Sequence, residues 1–270
     1  MDARRPVLEV ENLTKLFKNR RGVRNMSFTL SEGEVFGLLG SNGSGKTTAI
    51  RSICGLCPFE GEIRLFGESV KDNPRAALRR AGCIAEAPAF YGNLSGERNL
   101  LLAANYYGMT KSEAADAAAW ALETVGLYAY RRDRAERYSL GMKARLGLAL
   151  CFISKPDFMA LDEPLNGLDI EGMVEVRNII LNQAAVSGAT FLISSHLAAE
   201  IEKTCGRVGV MDEGVLIETA PIGYVMGTFG SVEAYYLSVL QRHRGGRQQG
   251  GQIIAAEQAG AGIENDTRGV

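Results

Sequence analysis

The chain has 270 residues, 46% of them hydrophobic and 23% charged, with a formal net charge of −1. That is ordinary globular composition, enough for one large domain or a domain with an appendage, and its charge balance excludes a general attraction to nucleic acid or anionic lipid. With no run of about 18 apolar residues, it is not expected to span a membrane by itself.

The first thirty residues alternate as strands do, in Val7-Leu8-Glu9-Val10 and again from Met26 to Leu30, so a small antiparallel sheet is expected, with a polar, basic connection between the strands. Met1 to Val10 carries charge and no apolar h-region, so no secretory signal is expected and the chain should be cytoplasmic. Phe17 is an aromatic residue in the polar connection. It has two readings, a packing residue or a ring that stacks on adenine. The basic clusters at Lys15 to Arg24, Arg131 to Arg137 and Arg242 to Arg247 read as solvated faces, although the first lies near the next motif in sequence.

An apolar run, Val35 to Leu39, leads into Gly40-Ser41-Asn42-Gly43-Ser44-Gly45-Lys46-Thr47, and Thr48 to Ile53 continues at helical spacing. Glycines without a Cβ let the backbone fold tightly, so that successive N–H groups turn inward on an anion. The positive end of the following helix adds to the same field. Lys46 is placed to reach the β- and γ-phosphates of a nucleotide, and the Thr47 hydroxyl to complete the shell of a Mg²⁺ ion. Cys54 and Cys57 have a C-x-x-C spacing, but no second pair lies nearby, and they read as buried thiols.

Gly61 to Gly67 reads as a strand closed by glycines, Pro74 to Arg80 as a polar helical segment, and Ile84 to Pro88 as a short strand stopped by proline. From Asn93 to Gly126 the pattern is helical and Ala-rich, with Ser112 as candidate N-cap and Glu113 in the first turn. It reads as a helical subdomain inserted into a nucleotide-binding core. Ser139 can cap a helix running from Leu140 to about Ile153, a second helix start that attracts anions.

Phe158-Met159-Ala160-Leu161 ends in Asp162 and Glu163. Buried parallel strands end in acidic residues where a metal is held at the sheet's carboxyl edge, beside the nucleotide. Asp162 fits an outer Mg²⁺ ligand and Glu163 a general base for an attacking water. Asn166 to Asp169 forms a turn, followed by a helix from about Glu171 to Val186 that Gly188 ends. The strand Thr190 to Ser194 delivers His196, expected on the same edge and able to hydrogen-bond a γ-phosphate and the attacking water. Leu197 to Cys205 reads as a helix, Val208 to Ile217 as a hairpin around Asp212-Glu213-Gly214, and Val232 to Leu240 as a last short helix. From His243 onward disorder is expected.

Taken together, these motifs resemble the nucleotide-binding subunit of an ATP-binding cassette (ABC) transporter over residues 7 to about 240. Phe17 stands where the family has its adenine-stacking aromatic. Gly40 to Thr47 stands as the Walker A loop, with Thr48 beside it, and Asp162 and Glu163 close Walker B. Asn166 to Asp169 matches the D-loop and His196 the switch histidine. The family signature LSGGQ is Tyr138-Ser139-Leu140-Gly141-Met142 here, which retains Ser139 and Gly141. The Q-loop glutamine is replaced by Glu86, whose carboxylate can ligate Mg²⁺ but cannot donate an amide hydrogen bond. The stretches around Glu86 and Tyr138 resemble the branch of bacitracin-resistance and lantibiotic self-protection exporters.

The resemblance implies an α/β P-loop NTPase core with a mixed sheet, an N-terminal antiparallel β-subdomain and an inserted α-helical subdomain. Its divisions are an ATPase domain over 1–225 with the insert at 87–155, a C-terminal helix over 226–242 and a tail over 243–270. ATP and Mg²⁺ are the implied cofactors. A second ATPase subunit, as a homodimer, and an integral-membrane permease are the implied partners, with no nucleic acid. The chain would then sit peripherally on the inner face of the cell membrane and power export of a peptide antibiotic or related amphiphile. In the family, Ser139 and Gly141 of one copy close on the phosphate held by Lys46 of the other, and the D-loop match implies that Asp169 is a further nucleotide-binding residue. Three alternatives stand beside this reading. A soluble ABC ATPase acting on ribosomes or DNA usually carries two cassettes or a long coiled coil. A P-loop kinase or GTPase needs neither the Ser139 helix nor His196. A non-hydrolytic regulatory subunit is conceivable with Glu86 but is opposed by intact Glu163 and His196.

Overall fold

A computed structural model of the protein describes residues 5–85 and 89–245. Strands β1 (Pro6–Leu16) and β2 (Gly22–Ser31) pair antiparallel and run further into the polar connection than the alternation predicts, with Leu13 opposite Met26 and Lys15 opposite Val23. The register shifts between Val10 and Lys15, and Asn12 and Asn25 have positive φ. Bulges of this kind break the two-residue period, so the extensions of the two strands are hidden from a reading that relies on it. Only 17–21 remain as a turn, closed by Phe17 N–H donating to the Arg21 carbonyl at 2.9 Å.

Next come β3 (Val35–Gly40), α1 (Lys46–Ile53), β4 (Glu60–Leu65), β5 (Glu68–Ser69), the short α2 (Pro74–Ala77) and β6 (Ala81–Ile84). Strand β6 lies earlier than the stretch ending at Pro88, and 86–88, with the candidate residue Glu86, fall outside the described residues. Helices α3 (Gly96–Tyr106), α4 (Lys111–Thr124) and α5 (Leu140–Phe152) precede β7 (Phe158–Asp162). The remainder is α6 (Ile170–Ser187), β8 (Thr190–Ser195), α7 (Ala198–Thr204), β9 (Arg207–Asp212), β10 (Val215–Pro221), α8 (Ile222–Phe229) and α9 over 232–245. Among the described residues two helices thus follow β10 where the periodicity suggested one. Of the tail expected to be disordered, 243–245 continue α9 and the rest lies outside the described residues.

Six strands form a mixed sheet in the order β10-β9-β3-β8-β7-β6, parallel except for β10, and β2-β1-β4-β5 form a separate antiparallel sheet. Parallel strands covered on both faces need nearly continuous apolar sequence. Phe158 to Leu161 and Phe191 to Ile193 supply it, and their alternation divides the core. Met159, Leu161, Phe191 and Ile193 pack with the helices from α3 to α9, whereas Phe158, Ala160 and Leu192 pack with α1 and the antiparallel sheet. This double cover fixes the register. Leu39 stands opposite Ser195, and Asp162 opposite Ser194. Gly40 closes β3 opposite Met211, and Glu163 and His196, the residues after β7 and β8, leave the sheet at the same edge.

The N-cap of α4 is Thr110, not Ser112. Thr110 Oγ1 accepts from Glu113 N–H at 3.3 Å while Glu113 Oε2 accepts from Thr110 N–H and Oγ1, each at 2.8 Å. Glu113 is three residues beyond Thr110, the spacing a capping box requires, which Ser112 lacks. Donation from the Thr110 backbone, and then from its hydroxyl, holds the Glu113 carboxyl below its ordinary value of 4.5. Because the folded-state value is lowered, this contribution is complete above the ordinary value and is lost as pH falls through the lowered one. Parent and Glu113→Ala are therefore expected to differ in Tm at neutral pH and to converge in acid. A difference that persists unchanged at the acid end would refute the cap's charge dependence.

Candidate active site

Helix α1 starts at Gly45, which has φ +106 and offers no side-chain cap. A Cβ there would lie 2.6 Å from the Gly22 carbonyl, so the loop can pass only as glycine. An uncapped helix start leaves its first N–H groups to an anion. The Ser44 hydroxyl, buried in the same loop, has no hydrogen-bond partner among the described residues. Lys46 is 5% exposed; its ammonium donates to the Gly40 carbonyl at 2.7 Å and the Ser41 carbonyl at 3.2 Å, and lies 3.3 Å from Glu163 Oε1. Asn42, Gly43, Thr47 and Thr48 wall the same cleft, of about 320 Å³, together with Lys46 and Glu163.

Glu163 turns out of β7 at φ +50, a conformation rare for a side-chain-bearing residue. Its N–H donates to Ser194 Oγ at 3.0 Å, and the Ser194 hydroxyl in turn donates to Asp162 Oδ1. The turn brings one carboxylate oxygen to Lys46 and the other within 2.6 Å of His196 Nδ1. Lys46, Glu163 and His196 thus form one chain of contacts at the end of the sheet. Ser194 was missed by the sequence reading. Its signal was a hydroxyl directly after the apolar run Phe191 to Ile193, and the residue is fully buried.

Phe17 is 46% exposed at the rim of the cleft, with Lys15 Nζ 5.4 Å from its ring centroid, so of its two readings core packing does not apply. Arg21 also lines the cleft, although the basic stretch containing it reads as a solvated face. Thr47 and Asp162 offer a hydroxyl and a carboxylate, hard oxygen donors of the type Mg²⁺ takes, so the donor set fits that ion. Asp169 caps α6, its Oδ1 accepting from Gly172 N–H at 2.8 Å, which starts that helix at Ile170, one residue before the predicted start.

Ser139 caps α5 by accepting from Met142 N–H at 3.2 Å. Neither Ser139 nor Gly141 walls the cleft that holds Lys46. A Cβ on Gly141 would lie 3.8 Å from Gly172 Cα, so the starts of α5 and α6 are neighbours. Tyr138, the departure from the family signature, has a structural use. Its hydroxyl donates to the Tyr130 carbonyl at 2.8 Å and sits where a Cβ on Gly96 would fall, 2.5 Å away. Burial, and then Asp133, keep the phenol above its ordinary value of 10.

The profile of the ABC transporter family matches residues 23–166, a span that contains Lys46, Ser139, Gly141, Asp162 and Glu163. The chain belongs to the ABC transporter family. It is an ATP-binding, ATP-hydrolysing subunit of that family. It is 40% identical over 220 residues to the bacitracin transport ATP-binding protein BcrA of Bacillus licheniformis, covering 81% of this chain and 71% of that one. To the protein of the same name from Enterococcus faecalis it is 41% identical over 217 residues, covering 80% and 70%. A solved ATP-binding subunit of an ABC transporter superposes with a TM-score of 0.76 at 28% identity, covering 87% of this chain and 99% of the other. The ABC core and the expected α/β fold are therefore both found, and the likeness to the bacitracin-resistance branch, carried in sequence by the stretches around Glu86 and Tyr138, is matched by these relatives.

Proposed function

We propose that two copies of this ABC ATPase close head to tail around two ATP molecules and drive a separate integral-membrane permease that exports a peptide antibiotic or related amphiphile. The observation that carries the reading is the contact chain from Lys46 through Glu163 to His196 beside an uncapped helix start. The names of the relatives support the cargo class. Among the described residues no helix is long and apolar enough to cross a membrane, which agrees with a peripheral position on the inner face through the permease. We take 1–225 as the ATPase domain and 87–155 as its signature-bearing insert.

In this proposal the loop N–H groups and Lys46 bind the β- and γ-phosphates, and the half-exposed Phe17 ring stacks on the adenine. Thr47 and Asp162 would hold Mg²⁺, with Glu86 the third donor that the family resemblance implies, and the ion would supply charge neutralisation at the phosphate oxygens. Phosphates and Glu163 compete for one ammonium. Binding therefore frees Oε1 to take the proton of the attacking water, while His196 keeps the carboxylate aimed through Oε2. Ser139 and Gly141 reach the γ-phosphate from the second copy, which agrees with their absence from the walls of their own cleft, and Asp169 orders the neighbouring helix start.

Lys46→Ala removes charge-assisted bonds to phosphate, each about 1.5–3 kcal/mol. ATP affinity is expected to fall about 10- to 100-fold by titration calorimetry. An unchanged Kd would refute the loop's role. Adding ATP to a hydrolysis-blocked variant is expected to double the mass seen by light scattering; a mass that stays monomeric at saturating ATP would refute the paired arrangement.

A further inference from the structure

The β9–β10 hairpin turns on Glu213-Gly214, with φ of +46 and +85, the two left-handed residues that a tight type I′ turn demands. Both backbone groups of Gly214 are committed outside the hairpin. Its N–H donates to the Ser44 carbonyl at 2.9 Å, and its carbonyl accepts from Arg24 N–H at 2.7 Å. A Cβ on Gly214 would lie 2.4 Å from the Gly22 carbonyl, the same oxygen that crowds Gly45. The turn therefore staples the phosphate loop to the end of the β1–β2 ribbon, whose hairpin carries Phe17 and Arg21.

Something must hold the turn itself. Asp212, the residue before it, is only 4% exposed, and a lone carboxylate so buried would be costly. Arg244 near the end of α9 answers it with two hydrogen bonds, Nε to Oδ2 at 2.9 Å and Nη2 to Oδ1 at 3.0 Å. A planar guanidinium clamping both oxygens fixes direction as well as distance. The other end of α9 is anchored separately, Val232 N–H donating to Glu202 Oε2 at 3.0 Å and Tyr235 Oη to Glu218 Oε1 at 3.2 Å. We infer that Arg244 is a positioning residue for the phosphate loop, acting through Asp212 and Gly214, and that the C-terminal helix thereby sets nucleotide affinity. The affinity half of this inference rests on the nucleotide-site reading above; the loop-ordering half does not.

The test compares full-length parent, Arg244→Ala, Arg244→Lys and Arg242→Ala. Arg242 lies on the same helix and pairs at 3.1 Å with Glu218, away from the turn. Without nucleotide, Arg244→Ala is expected to speed backbone hydrogen exchange over 41–48 and 213–215 while the buried part of α9, 235–240, keeps its protection. ATP affinity is expected to weaken about five-fold. Arg244→Lys should recover part of both effects, since an ammonium restores the charge but not the fork, and Arg242→Ala should match the parent. The inference is overturned if exchange over 41–48 is unchanged, if α9 unravels along with it, or if Arg242→Ala does the same. Should the parent bind no ATP, the nucleotide-site reading fails, and exchange over the loop still decides the clamp.

Discussion

Glu163→Gln is expected to lower kcat for ATP hydrolysis about 10²- to 10⁴-fold, the range for losing a general base, while ATP binds at least as tightly as to the parent. The two halves follow from one geometry. Glu163 Oε1 lies 3.3 Å from the Lys46 ammonium, so the carboxylate competes with phosphate for that charge, and a neutral amide competes less. Oε2 lies 2.6 Å from His196 Nδ1, and an amide oxygen keeps that contact without being able to take a proton from water. Single-turnover hydrolysis and equilibrium binding measured on the same preparation separate the effects. Hydrolysis within a few-fold of the parent would show that another group is the base.

Arg177→Ala is expected to cost about 3–5 kcal/mol of folding stability, the usual result of stranding one partner of a buried ion pair. Arg177 on α6 donates to Glu200 Oε2 from Nη2 at 2.8 Å and from Nε at 3.2 Å, and the two side chains are 14% and 9% exposed. Without the guanidinium, Glu200 keeps a carboxylate where water hardly reaches. The pair joins the helix that Asp169 caps to the helix that begins two residues after His196, so its loss is felt close to the site. Urea unfolding measures it. The double variant Arg177→Met with Glu200→Leu should recover most of the loss, because apolar side chains of similar size incur no such desolvation. A single-variant effect below about 1 kcal/mol would mean that the pair behaves as a solvated surface contact.

Much of the site could be read from the chain because its chemistry is contiguous. Gly40 to Thr47 needs its glycines, lysine and threonine at fixed offsets, and Asp162-Glu163 must end an apolar strand. His196 lies far from both, yet it could be placed because buried parallel strands deliver the residues after them to one edge. The failures have equally specific causes. Asn12 and Asn25 take left-handed conformations that interrupt the alternation of β1 and β2, so half of each strand looked like a loop. Thr110 and Ser112 are both acceptable caps by residue type, and the choice between them rests on the reciprocal bond from Glu113. Ser194 was passed over because its role depends on the register that sets it opposite Asp162.

What amino-acid order determined alone was membership, an ABC ATPase with its glycine-rich loop, acidic strand end and a histidine after the next strand, because each of these is a local pattern with a local physical reason. What only the tertiary structure decided was which group holds which. It divided the oxygens of Glu163 between Lys46 and His196, stapled Gly214 to Ser44, and set Arg244 against Asp212. Those partners are distant along the chain and are joined by sheet register and helix packing, which no periodicity within either segment encodes.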